Sequence, residues 1–239
     1  MALLALHSVS KSYGALKVTD GISLAVAEGE TLGILGPNGA GKTTLFNLMT
    51  GDVQLDAGRV EYDGRDVTAL PPHQRCRAGI GRSYQVPQPF GAMTVFENLV
   101  AAACFGGRQA ERAAWETAHE VLRQTGLLAH ANRPAGSLTL LNRKRLELAR
   151  ALATRPRLLL LDEIAGGLTE HEAQQLVEEL RRIKSQGITM IWIEHVVHAL
   201  LAVADRLLVI DFGRLLAEGA PADVMRDENV RRVYLGLEA

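Results

Sequence analysis

The chain has 239 residues, 47% of them apolar and 22% charged, enough for one large or two small globular units with an ample core. A net charge of −1 gives no general attraction to nucleic acid or to anionic lipid. The two cysteines, Cys76 and Cys104, stand in no C-x-x-C or paired-histidine spacing, which argues against a zinc site or a disulfide framework and fits a reducing compartment.

Residues 1–6 lack a basic n-region and are too short for a signal sequence, and no apolar run approaches the roughly 20 residues of a membrane span. Any membrane connection is expected to come through another polypeptide. Residues 1–30 read as strands, with Leu4, Leu6 and Val9 early and Ile22, Leu24 and Val26 at period two before the turn Glu28-Gly29-Glu30. Thr31-Leu32-Gly33-Ile34-Leu35 predicts a short, fully buried parallel strand, and 44–49 predicts a helix.

Between them, Gly36-Pro37-Asn38-Gly39-Ala40-Gly41-Lys42-Thr43 completes the phosphate-loop pattern G-x-x-x-x-G-K-[ST]. Its glycines permit left-handed backbone angles, so successive N–H groups converge on the α- and β-phosphates at the positive end of a helix. Lys42 would reach the β- and γ-phosphates, and the Thr43 hydroxyl would ligate Mg²⁺. Thr44 completes the nucleotide-binding set.

Further along, 58–64 reads as a short strand ending in a turn. From Met93 to about Arg155 the pattern is helical, in segments at 94–103, 108–126 and 143–154. Strand signals return at 158–161, 188–193 and 207–210, with a helix at 170–185 among them. Such alternation predicts a parallel sheet with crossover helices, here an α/β nucleotide-binding core interrupted by a helical insert at 87–155.

Arg157-Leu158-Leu159-Leu160-Leu161-Asp162-Glu163 is an apolar strand ending in two carboxylates, the composition of a Walker B segment. Two acids closing a strand are also common as a solvated strand end. Beside a phosphate loop they divide the work: Asp162 would hold Mg²⁺ and Glu163 would polarise the attacking water as general base. Neighbouring strands of such a sheet direct their C-terminal ends to one ligand crevice.

The order and spacing of these segments resemble the nucleotide-binding subunit of an ATP-binding cassette (ABC) transporter across essentially the whole chain. The resemblance implies a P-loop (RecA-like) core, 1–86 and 156–239, with an N-terminal antiparallel β subdomain and an inserted α-helical subdomain at 87–155. It also implies an ATPase with ATP and Mg²⁺ as its ligands. Tyr13, in Lys11-Ser12-Tyr13-Gly14, matches the aromatic residue that stacks on adenine, though a hairpin-edge aromatic reads the same way. Gln85, in Gly81-Arg82-Ser83-Tyr84-Gln85, matches the Q-loop glutamine that senses Mg²⁺ and the γ-phosphate. Met93-Thr94-Val95-Phe96-Glu97-Asn98 resembles the segment that faces the membrane subunit. His195, closing Ile191-Trp192-Ile193-Glu194-His195, matches the switch histidine on the γ-phosphate. His7, His73, His119, His130, His171 and His198 have no comparable placement and read as surface or local structural residues.

The signature segment departs from the family. Its usual L-S-G-G-Q aligns with Leu138-Thr139-Leu140-Leu141-Asn142, anchored by Arg145 to Leu152. Thr139 can serve as hydroxyl donor and helix N-cap, whereas leucines at 140 and 141 are restricted to negative φ and bring Cβ atoms where phosphate would approach. Thr169 likewise stands where the family commonly has Asp, after Gly166-Gly167-Leu168.

The length, Arg82-Ser83-Tyr84-Gln85, Ile193-Glu194-His195 and the terminal Tyr234-Leu235-Gly236 resemble the ATPases of branched-chain amino acid importers. That resemblance implies two membrane-spanning permease subunits, a second and different ABC ATPase, an extracytoplasmic substrate-binding protein, no nucleic acid, and a peripheral place on the cytoplasmic face of the inner membrane. Three rival classes differ from such an ATPase in sequence. A chromosome-structuring ATPase would carry a long heptad insertion, and a GTP-binding switch an N-K-x-D segment; the sequence has neither. A regulatory cassette that only binds ATP is suggested by the altered signature and opposed by Lys42, Asp162, Glu163 and His195.

Overall fold

The structure, a computed structural model, describes residues 2–235. Gly236 of the terminal Tyr234-Leu235-Gly236 therefore lies outside the described residues. The first elements are β1 (Ala2–Tyr13), β2 (Leu16–Ala27), β3 (Thr31–Leu35), α1 (Lys42–Thr50), β4 (Ala57–Tyr62), β5 (Arg65–Asp66), α2 (Pro72–Ala78) and β6 (Ile80–Ser83). Next come α3 (Val95–Ala101), α4 (Glu111–Gln124), α5 (Leu140–Ala153), β7 (Leu158–Asp162) and α6 (Glu170–Lys184). The chain continues through β8 (Thr189–Ile193), α7 (Val197–Leu201), β9 (Arg206–Asp211), β10 (Arg214–Gly219), α8 (Pro221–Val224) and α9 (Glu228–Leu235).

Contacts divide the chain into two compact units, one formed by the chain up to Arg75 and from Thr189 onward, the other by Cys76–Ile188. The stretch 87–155, set apart in the sequence by element type, holds α3, α4 and α5, and the second unit also takes in β6, β7 and α6.

In the first unit β1 and β2 form a hairpin within an antiparallel sheet of order β2-β1-β4-β5. Period two in β2 buries Ile22, Leu24 and Val26 and exposes Ser23, Ala25 and Ala27, as a strand with one wet face requires. The unit's other strands run β10-β9-β3-β8, with β3 parallel to β8 and β9 and only β10 antiparallel. Every residue of β3 and β8 is buried. Gly33 is held to its size by packing, since a Cβ there would stand 2.6 Å from Leu207 Cδ2 and 2.8 Å from Leu200 Cγ.

In the second unit β6 runs parallel to β7, with Ile80 beside Leu158 and Ser83 beside Leu161. Thr94 caps α3 by accepting from Glu97 N while the Glu97 carboxylate accepts from Thr94 N, a reciprocal capping box that holds Glu97 below the usual carboxylate range. Helix α5 starts at Leu140 rather than at Arg143, because Thr139 caps it and starts the helix three residues sooner. The helix predicted over 94–103 is α-helical only to Ala101 and widens into a π-turn at Ala102–Gly106. Strands β6 and β10 gave no apolar run: β6 carries Gly81 and Arg82 in four residues, and β10 is a half-exposed strand.

Candidate nucleotide site

In the first unit, β3 delivers the chain at Leu35 into Gly36–Gly41, and α1 begins at Lys42. Gly41 is the N-cap of α1 at φ 99°, and a Cβ there would lie 2.4 Å from Val18 O, so the helix starts hard against β2. Gly39 also turns left-handed, at φ 81°. The loop is pinned from its other side where Gly213 N donates to Ala40 O at 3.1 Å. Gly41 brings no side chain to cap the helix, leaving a helix end of the kind that takes an anion. Lys42 is only 5% exposed, and its Nζ donates to Gly36 O at 2.7 Å and to Pro37 O at 2.9 Å, so the cation rests over the loop. Asn38, Gly39 and Thr43 are exposed and Thr44 is half-buried, while Leu45, Phe46, Leu48 and Met49 anchor the helix.

Tyr13 ends β1 at the hairpin turn, 50% exposed, with Lys11 Nζ 5.7 Å from its ring centroid. The ring is thus half-exposed with Lys11 over it, a placement that a hairpin-edge aromatic also takes. His195 is exposed two residues beyond β8, which stops at Ile193. The fully buried Glu194 accepts from Trp192 Nε1 and from His195 N, both at 3.2 Å, and fixes the backbone from which His195 projects.

In the second unit, Asp162 ends β7 and Glu163 follows with φ 47°, a left-handed angle that costs a non-glycine residue about 1–3 kcal/mol. Gln85 Nε2 donates to Glu163 Oε2, so two of the residues singled out in the sequence meet. Asp162 Oδ2 accepts from Arg82 Nη2 at 2.9 Å, with both side chains nearly buried. The Arg82 guanidinium also lies 4.6 Å from the Tyr84 ring centroid, next to Gln85.

Sequence reasoning missed how α5 holds the Q-loop segment. Lys144 Nζ donates to Gln85 O at 3.3 Å and to Glu163 O at 3.0 Å, and Arg150 Nη1 donates to Gln88 O at 2.9 Å and to Glu147 at 3.0 Å. Burial pushes the Glu147 carboxyl above the usual carboxylate range, against the pull of Arg150 and the backbone N–H groups of Gln88 and Tyr84. The available signal was Lys144, Glu147 and Arg150 at every third position of an otherwise apolar helix face.

Thr139 caps α5 with a long 3.5 Å contact from Asn142 N, and Leu140 and Leu141 form the first helical turn, 47% and 8% exposed. The Asn142 amide is engaged within the unit: Nδ2 lies 3.2 Å from His130 Nε2, and Oδ1 accepts from Arg145 Nη1 at 3.4 Å. His130, which reads in the sequence as a surface or local structural residue, is thus a local structural partner of the altered signature. Thr169 caps α6 in a capping box with Glu172.

A family model described as ABC transporter matches residues 19–166, and one described as branched-chain amino acid ATP-binding cassette transporter matches residues 214–239. The chain belongs to the ABC transporter ATP-binding family. It is 35% identical to the high-affinity branched-chain amino acid transport ATP-binding protein BraF of Pseudomonas aeruginosa, over 98% of both chains. It is 36% identical to LivG of Salmonella typhimurium, named for the same transport and covered to the same extent. It is also 35% identical to the lipopolysaccharide export system ATP-binding protein LptB of Haemophilus influenzae, over 99% of this chain and 98% of that one. Among solved structures, a nucleotide-free ATP-binding cassette from an ABC transporter superposes with a TM-score of 0.89 at 32% identity, covering 99% of this chain and 100% of that one. The cassette is therefore an ATP-binding and ATP-hydrolysing subunit that works with membrane permease partners. No described helix is long and apolar enough to cross a membrane.

Proposed function

We propose that the cassette powers uptake of branched-chain amino acids or related small polar solutes through two permease subunits. A second, different ABC ATPase and an extracytoplasmic substrate-binding protein complete the system, at the cytoplasmic face of the inner membrane. The match of residues 214–239 to the branched-chain amino acid model carries this reading, since the likeness to LptB leaves the transport direction open over the rest of the chain.

Gly36 to Thr44 cradle the polyphosphate, Lys42 neutralises it and Tyr13 stacks on the base. Thr43, Gln85 and Asp162 offer a hydroxyl, an amide oxygen and a carboxylate, hard oxygen donors of the kind Mg²⁺ takes alongside phosphate. The ion, when bound, neutralises charge on the transferring phosphoryl group. Glu163 orients and deprotonates the attacking water, with Gln85 against its carboxylate and His195 toward the γ-phosphate. Thr139 serves the partner's nucleotide. Copurification of the assembly from membranes, followed by ATPase assay with candidate solutes, tests the reading. Stimulation by leucine, isoleucine or valine with the binding protein is the expected result, and stimulation only by a lipid substrate would refute it.

A second reading, a cassette that binds ATP and turns over weakly in a heterodimer, draws on Leu140 and Leu141 in the first turn of α5. Brisk hydrolysis lost on Glu163→Gln in the assembly would remove it.

A further inference from the structure

Lys144 lies two residues past the signature position Asn142 on the helix that Thr139 starts, and it is only 5% exposed. A lysine is buried only where oxygen atoms offset its lost hydration, and here those oxygens belong to the catalytic loops. Its Nζ donates to Glu163 O at 3.0 Å and to Gln85 O at 3.3 Å, gripping the backbones of the two residues whose side chains meet. Glu163 O also accepts from Gly166 N at 3.2 Å, closing a turn in which Glu163 keeps φ 47°. A left-handed angle at a non-glycine residue persists only when its surroundings over-determine it.

We propose that Lys144 is a positioning residue for ATP hydrolysis. It fixes the Glu163 backbone so that the carboxylate stands against Gln85, and it ties the start of α5 to both loops, so that displacement of the signature helix reaches the base. The proposal rests on Glu163 as general base.

The test uses the complete ATPase and permease assembly, with single-turnover hydrolysis, equilibrium binding of a fluorescent ATP analogue and the thermal midpoint measured for each variant. Lys144→Met keeps the aliphatic stem and removes the donor. It should lower the single-turnover rate by about 10²-fold, the scale of a small misplacement of a reacting group, with affinity unchanged and the midpoint lowered by only a few degrees, because two buried carbonyls lose a donor. Lys144→Arg, which keeps a donor in reach, should recover most of the rate. In a Glu163→Gln background, Lys144→Met should cost nothing further, because the residue acts through the base. A near-normal rate in Lys144→Met, a parallel loss of ATP affinity, or an additive loss in the Glu163→Gln background would each overturn the proposal. Undiminished hydrolysis in Glu163→Gln alone is a different result, which removes the general-base assignment and this inference with it.

Discussion

A side chain at Gly41 would meet Val18 O on a backbone already at φ 99°, so the turn into α1 depends on that single glycine. Gly41→Ala should cost at least about 1 kcal/mol, lowering the thermal midpoint by about 2 °C or more. An unchanged melting curve would show that the loop tolerates another path. Lys42→Ala should abolish binding of a fluorescent ATP analogue, because the polyphosphate loses the cation the loop supplies. Retained affinity would displace the nucleotide from this loop. Glu163→Gln should keep affinity while single-turnover hydrolysis falls by at least about 10²-fold. The phosphate-loop residues were legible because the motif is local and its chemistry fixes residue type. Arg82, Lys144 and His130 were not, since each acts on a partner 80, 19 to 59 and 12 residues away in the chain.

Helix ends were as legible as their caps. Thr94 and Thr169 each precede a glutamate three residues on, and both form the reciprocal box, so Thr94→Ala should cost about 1 kcal/mol and leave α3 frayed in hydrogen exchange. Protection of α3 equal to wild type would contradict the role of that cap. The charged stripe of α5 sets a pH dependence. Because the folded Glu147 carboxyl titrates above its ordinary range, the folded state keeps a proton that the unfolded chain has lost between those two values. The contribution of Glu147 to stability is therefore fully present below the ordinary carboxylate range and is lost as pH rises through the elevated one. Glu147→Gln should remove that slope in urea unfolding across the window, and equal slopes in the two proteins would show that Glu147 is not its source. Strands were legible where burial on both faces gave an unbroken apolar run, as in β3, β7 and β8. They were missed where Arg82 in β6 bonds to Asp162 instead of facing solvent, which no periodicity records.

For the whole molecule, the family resemblance implies two cassettes closed head to tail, each ATP lying between one chain's phosphate loop and the other chain's signature. The same resemblance implies that this chain keeps Lys42, Glu163 and His195 for its own nucleotide and offers Thr139, Leu140, Leu141 and Asn142 to its partner's. The Asn142 amide is already engaged by His130 and Arg145, and Leu140 projects a half-exposed side chain at the start of α5. Loss of a preorganised γ-phosphate donor costs a few kcal/mol of transition-state stabilisation, so turnover should differ between the two sites by roughly 10²-fold. Docking to the permease is expected through residues 85–98, and crosslinks that map instead to 213–224 would place it elsewhere. The measurement that bears most directly on the account is steady-state ATP turnover by the purified mixed assembly, with the catalytic glutamate of each ATPase replaced by glutamine in turn. Glu163→Gln should stop most of the turnover and the partner's equivalent change should leave a sizeable fraction, whereas equal losses from the two would contradict it.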